Sequence, residues 1–235
     1  MERSEFLHHY NRTLDKISLE RNLTNLKSQD DVIDNNGYWN RLANIKAIEH
    51  NINTYDYHFL YEIQGLSSQI HFGIASCILF RPQISTKTGK PNSYNHRYTF
   101  MIESTVHCIY SYWNRVALVL NTYLTKPKDV KRIYFASVVT QLLIDYPELE
   151  QHPLYNWLFN IKIALEELDR NEFAHNNSLI MQNFLPRDKN RDDFKELLAM
   201  PDLLLSHNKA IVDEIYNLVE LLEQLEKIYI KNQPR

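Results

Sequence analysis

The segment Asp169-Arg170-Asn171-Glu172-Phe173-Ala174-His175-Asn176 gathers the side chains of this sequence best suited to chemistry on a phosphodiester. Read as helix, it places Asn171 and His175 four residues apart on one face, with Arg170 one step round and able to lean to the same rim. Arginine offers phosphate a planar, permanently charged fork. An imidazole titrates near neutrality unaided, so His175 can give or take a proton, and the Asn171 amide can hydrogen-bond the ring and orient it. The trio predicts a phosphate site.

Spacing alone does not single it out, since Arg3 and His8 repeat the separation. The Asn after the Arg, the small Ala174 before the His, and the position at the end of a long apolar-striped helix set Arg170 to His175 apart. Two other readings use the same residues. Glu166 and Arg170 have the order and spacing of a helix-surface ion pair, and a His near a helix C-terminus interacts favourably with the dipole. Glu5-x-x-His8 and Glu172-x-x-His175 have the spacing of dimetal carboxylate bundles, with Glu62 and Glu103 as further carboxylates. A cationic Arg170 beside such a site opposes a dication, and the other histidines form no zinc-ligand grouping. Neither a metal nor a cofactor is expected.

The net charge of -3 conceals a segregation. From Gln64 to Lys128 the only acid is Glu103, against Arg81, Lys87, Lys90, Arg97, Arg115, Lys126 and Lys128. Such asymmetry points to an anionic partner. Its centre is the turn-rich, acid-free segment from Arg81 to Arg97, which adds Tyr94 and His96 to the cations. Cations mixed with stacking rings suit single-stranded nucleic acid, so Arg81, Lys87, Lys90, Tyr94, His96 and Arg97 are the candidate RNA contacts. Arg115, on an apolar helix, reads instead as the partner of an acid, with Glu103 and Glu172 as candidates.

These residues must be carried by helices. Only four glycines occur in 235 residues, and Gly37, Gly65, Gly73 and Gly89 cannot assemble a phosphate-cradling nucleotide loop. Cys77 and Cys108 have no paired spacing and read as small buried hydrophobes. Apolar periodicity is helical throughout and no hairpin pair is found, which predicts an all-α, up-and-down bundle. Helices are expected over Ser4 to Lys27, over Tyr38 to Phe80 with a break near Asn51 to Tyr55 or at Gly65, and over Thr99 to Leu124. Ile133 to Tyr146, Pro153 to about Asn176, and Asp202 to Lys231 behind Pro201 complete the set. In the last of these, Asn208 falls at an interior position of a heptad-like seam. No secretory leader is apparent, and the longest apolar run, Ile70 to Phe80, is short for a membrane span, so the chain is expected to be cytoplasmic with no membrane partner.

With Arg170, Asn171 and His175 in place, the chain resembles the HEPN superfamily, helical bundles many of which are metal-independent RNases. Its motif is an Arg, preferably followed by a polar residue, and then a His a few positions on. The helix order is similar too: a long aromatic-rich helix containing Tyr112-Trp113-Asn114-Arg115, a helix ending in the motif, and a closing helix. The resemblance covers residues 99–235 as the HEPN-like core, with residues 1–98 as additional N-terminal helices and the basic loop. It implies a homodimer with both copies of Arg170 and His175 in one cleft, and an endoribonuclease of toxin or phage-defence type. The 2'-hydroxyl would attack the adjacent phosphorus, His175 would transfer protons, Arg170 would stabilise the phosphorane, Asn171 would orient them, and Glu103 would support Arg170. A regulatory partner such as an antitoxin is implied as well. HEPN toxins silenced by a nucleotidyltransferase carry a Tyr two residues after the motif His, where this chain has Asn177, so that mode of control is not implied. Some members keep the fold as non-catalytic modules that bind RNA or protein, the alternative expectation here.

Overall fold

The computed structural model describes residues 3–27, 33–55, 57–87, 89–168, 178–184 and 194–232. The chain is all-α: the described residues contain helices and one isolated bridge, Thr54 to Tyr57, but no strand. They divide into two compact units, one drawn from Met1–Asn25, Ser68–Ile109 and Asp169–Lys209, the other from Leu26–Ser67, Tyr110–Leu168 and Ala210–Arg235.

The first unit begins with α1, Arg3–Glu20. It stops short of the expected Lys27 because Asn22 takes the left-handed conformation (φ 49°), Leu23 N–H reaches back to Ser18 C=O at 2.8 Å, and Asn22 N–H bonds Leu19 C=O. That pair of bonds is a Schellman cap, and the residue completing it, Leu23, is buried. Helix α2 spans Tyr38–Ala43 and α3 spans Phe59–Phe80, separated by a π-helical turn over Ala47–Ile52 and the Thr54–Tyr57 bridge. The expected break near Asn51 is therefore present, whereas α3 runs straight through Gly65. At Gly73 a Cβ would lie 2.0 Å from Thr105 Oγ1, so glycine permits the close approach of α3 to the next long helix, α4, Ser93–Asn121.

Helix α4 starts earlier than Thr99 because Asn92 caps it: Oδ1 accepts from the N–H groups of Tyr94 and Asn95. Its predicted stripe of Ile102, Val106, Ile109, Trp113, Val116 and Leu120 is buried. Helices α5, Phe135–Asp145, and α6, Pro153–Glu167, follow, the latter capped by His152 Nδ1 accepting from Leu154 N–H at 3.2 Å. In the second unit Trp113 packs at 5.1–6.1 Å from the rings of Tyr112, Phe135 and Trp157.

After α7, Leu179–Phe184, the single helix expected over Asp202 to Lys231 is two: α8, Phe194–Val212, and α9, Ile215–Asn232. Pro201 does not open a helix; it lies inside α8. A proline at that place has no N–H for the carbonyl four residues back, Leu197. That carbonyl accepts instead from Tyr98 OH at 2.7 Å, and burial pushes the Tyr98 phenol up, keeping its proton in place as the donor. Arg81 adds a bond to Leu198 C=O at 3.3 Å and an ion pair with Asp202 at 3.2 Å. Asn208 is not left at a seam between copies, since it is buried within the chain and donates to Thr24 C=O at 3.0 Å. In the second unit α9 buries Ile215, Leu218, Leu222 and Leu225, and its Glu223 grips Arg41 of α2 through two 2.8 Å bonds.

The stretch Phe59–Gln83 is long and apolar enough to cross a membrane, with mean hydropathy 1.2, although no contiguous apolar run in it reaches that length. Half of its most apolar window is buried inside the chain. Its Ser67 accepts from Leu26 N–H and its Ser68 from the Asn25 amide, bonds that suit a core helix.

Candidate functional site

The motif residues Arg170, Asn171 and His175 lie outside the described residues, and so does Glu172. What is described is the chain on either side. Before the motif, Glu166 pairs with Lys162 at 3.2 Å, a partner within α6 itself. After it, Glu103 Oε1 accepts from Leu179 N–H at 2.6 Å, a short charge-assisted bond that ties the start of α7 to α4. Ser178 C=O accepts from Met181 and Gln182, so Leu179 opens the helix, and Glu103 takes its amide N–H. The one acid of the basic stretch is thus engaged three residues beyond Asn176, the end of the motif segment.

Arg115 is ion-paired as expected, but with Glu62 at 3.0 Å rather than with Glu103. No group of three His, Cys, Asp or Glu side chains suited to a metal ion occurs among the described residues. Cys77 is buried and Cys108 half-buried, both as free thiols. Burial raises the pKa of each, which keeps them protonated and poor nucleophiles.

The candidate RNA contacts separate into three groups. Arg81 is committed to Leu198 and Asp202, a tie between the end of α3 and α8. Lys87 and Lys90 are exposed on the loop, where Lys90 N–H bonds Lys87 C=O at 3.1 Å and Gly89 takes φ +69°. Tyr94, His96 and Arg97 belong to the first turns of α4 rather than to the loop. The Arg97 guanidinium lies 5.5 Å from the centroid of the Tyr94 ring, and Tyr94 in turn sits 6.3 Å from Phe80.

The residue that organises this region is one sequence reasoning passed over. Asn95 is fully buried; its Oδ1 accepts from the N–H groups of Ser85 and Asn92 at 3.0 and 2.8 Å, and its Nδ2 donates to Ser85 C=O at 2.9 Å. Asn92 Nδ2 adds a bond to Gln83 C=O at 2.9 Å. One buried amide therefore clasps both ends of the basic loop, so that Lys87 and Lys90 project from a fixed base. The available signal was a pair of asparagines flanking a helix start, a capping pattern that says nothing of a clasp across ten residues.

Comparison of the chain with protein-family models, curated proteins and solved structures gave no match.

Proposed function

We propose that the chain is a HEPN-type endoribonuclease that cuts RNA without a metal ion, acting in the cytoplasm as a homodimer of toxin or phage-defence kind. The observation that carries this reading is the string Arg170-Asn171-x-x-x-His175, set between the apolar-striped α6 and an α7 whose first amide is held by Glu103. An all-α bundle with a long aromatic helix, α4, supports it.

The chemistry required of the side chains is modest. His175 abstracts the 2'-hydroxyl proton or protonates the 5'-oxygen leaving group. Arg170 neutralises charge developing on the non-bridging oxygens, and Asn171 orients the imidazole. The bond formed is from O2' to phosphorus and the bond broken is from phosphorus to O5', leaving a 2',3'-cyclic phosphate. Incubating purified protein with total RNA and tRNA in excess EDTA, beside His175→Ala, tests the assignment: the wild type cleaves and the variant does not. Equal cleavage by both would place the activity elsewhere.

A second reading is a non-catalytic helical module that binds RNA or a regulatory protein through residues 81–97. It is favoured by the Arg97–Tyr94 stack and the clasped loop, which need no contribution from the motif. Charge reversal at Lys87 and Lys90 weakens RNA binding under both readings, whereas His175→Ala removes cleavage only under the first.

A further inference from the structure

A cleft of about 680 Å³ opens within the first unit between α1, the end of α3 and the first turns of α4. That size falls within the roughly 300–1,000 Å³ of small-molecule sites. One wall is a single face of α4, on which Tyr94, Arg97 and Met101 follow at helical spacing with Phe100 beside them. Phe80 lines the cleft from α3 and Tyr10 from α1. Two features are unusual for an ordinary crevice. Phe100 is 62% exposed at the rim rather than packed, and the guanidinium of Arg97 is stacked against Tyr94 beside the opening. No carboxylate occurs among the described lining residues, and Arg97 is the permanently charged side chain among them.

We propose that this cleft is a nucleobase site for single-stranded RNA: an unpaired base enters between the aromatic side chains of Tyr94 and Phe100, and the adjoining phosphate meets Arg97. The occupant follows from the lining. A planar, apolar-faced group carrying a negative charge satisfies aromatic walls and a cationic mouth together. Gln83 on the rim brings an amide that both donates and accepts, which suits any base edge and selects weakly among them. A second copy of the chain fits poorly, because the same face on both partners would set Arg97 against Arg97 with no acid in the lining to pair them. The site rests on the reading of RNA as the ligand, but not on cleavage, and it lies on residues distinct from Arg170, Asn171 and His175.

The test uses full-length His175→Ala protein in EDTA, so that the probe survives, and a short fluorescein-labelled single-stranded RNA of mixed sequence. Fluorescence anisotropy is measured for this parent and for the same protein carrying Tyr94→Ala with Phe100→Ala, or Arg97→Gln, each checked by circular dichroism for an unchanged melt. The double variant is expected to weaken binding about tenfold or more, as loss of base stacking does. Arg97→Gln should lower the slope of log affinity against log salt by about 0.7, one phosphate contact on a single strand. Replacing the RNA by an abasic strand of equal length should weaken binding to the parent by a similar factor, yet add little to the loss already shown by the double variant. If the double variant binds as the parent does, or if the parent holds the abasic strand as tightly as the RNA, the nucleobase site is wrong. Wild-type cleavage together with either of those results would overturn the cleft alone. Base-dependent binding by a protein whose wild type cuts nothing would overturn the nuclease reading and leave the cleft standing.

Discussion

Tyr98→Phe removes one oxygen, and its effect can be worked from the proline it serves. Pro201 interrupts α8, so Leu197 C=O has no helical donor, and both Leu197 and Tyr98 are almost wholly buried. The Tyr98 hydroxyl supplies the missing bond at 2.7 Å. Phenylalanine keeps the ring packing and leaves the carbonyl buried without its partner, a penalty of about 1–3 kcal/mol. For a chain of this length that corresponds to roughly 2–4 °C in Tm per kcal/mol. Pro201→Ala restores an N–H in reach of Leu197, so in that background the same change should cost only the net worth of one bond, about 0.5–1.5 kcal/mol. Urea unfolding followed by far-ultraviolet circular dichroism on the four proteins of the cycle measures the difference, and the coupling should be about 1 kcal/mol. A Tyr98→Phe protein as stable as wild type, or an equal loss in both backgrounds, would refute the idea that the hydroxyl substitutes for the proline's absent donor.

Gly73→Ala places a Cβ 2.0 Å from Thr105 Oγ1 and should lower stability by overpacking, about 1–3 kcal/mol against about 1 kcal/mol gained in helix propensity. In a Thr105→Ala background the nearest remaining atom is 3.2 Å away, and the same substitution should become neutral or stabilising, read as a change of sign in the urea midpoint shift. Burial lowers the pKa of His207 from 6.5 to about 4. Since the unfolded chain takes up a proton that the folded chain refuses, stability should be level above about pH 6.5 and fall by about 3 kcal/mol between there and pH 4. His207→Leu should flatten that part of the profile, and an unchanged slope would show that another group carries it. Asn95→Ala deprives Ser85 and Asn92 of their shared acceptor, so trypsin should cut after Lys87 faster than in the wild type with little change in the global melt. Equal nicking rates would mean that the loop does not depend on the clasp.

The helices that were legible in the sequence are those whose stripes face a core. Ile102 to Leu120 on α4 and Leu158, Ile161 and Leu165 on α6 are buried where the periodicity put them. What misled was punctuation settled by distant partners. Pro201 reads as a helix start, and only the arrival of Tyr98 from elsewhere in the chain makes it tolerable inside α8. Asn22 reads as one more helical polar residue, yet its left-handed backbone ends α1. On the candidate site, charge segregation found the basic loop and the rings at its end, but Arg81 turned out to be spent on Asp202, while the residue that fixes the loop, Asn95, carries no charge to count. Glu103 was expected to support Arg170, which lies outside the described residues, and the partner described for it is the amide of Leu179.

The most direct measurement of the central claim is cleavage of one defined RNA in excess EDTA by wild type, Arg170→Ala and His175→Ala, with product ends read by mass spectrometry and a parallel substrate carrying a single 2'-deoxy sugar at the cut. Metal-free attack by the 2'-hydroxyl predicts a 2',3'-cyclic phosphate from the wild type alone and no cut at the deoxy position. Products ending in a 3'-hydroxyl, a cut that persists at the deoxy sugar, or full activity in either variant would contradict it.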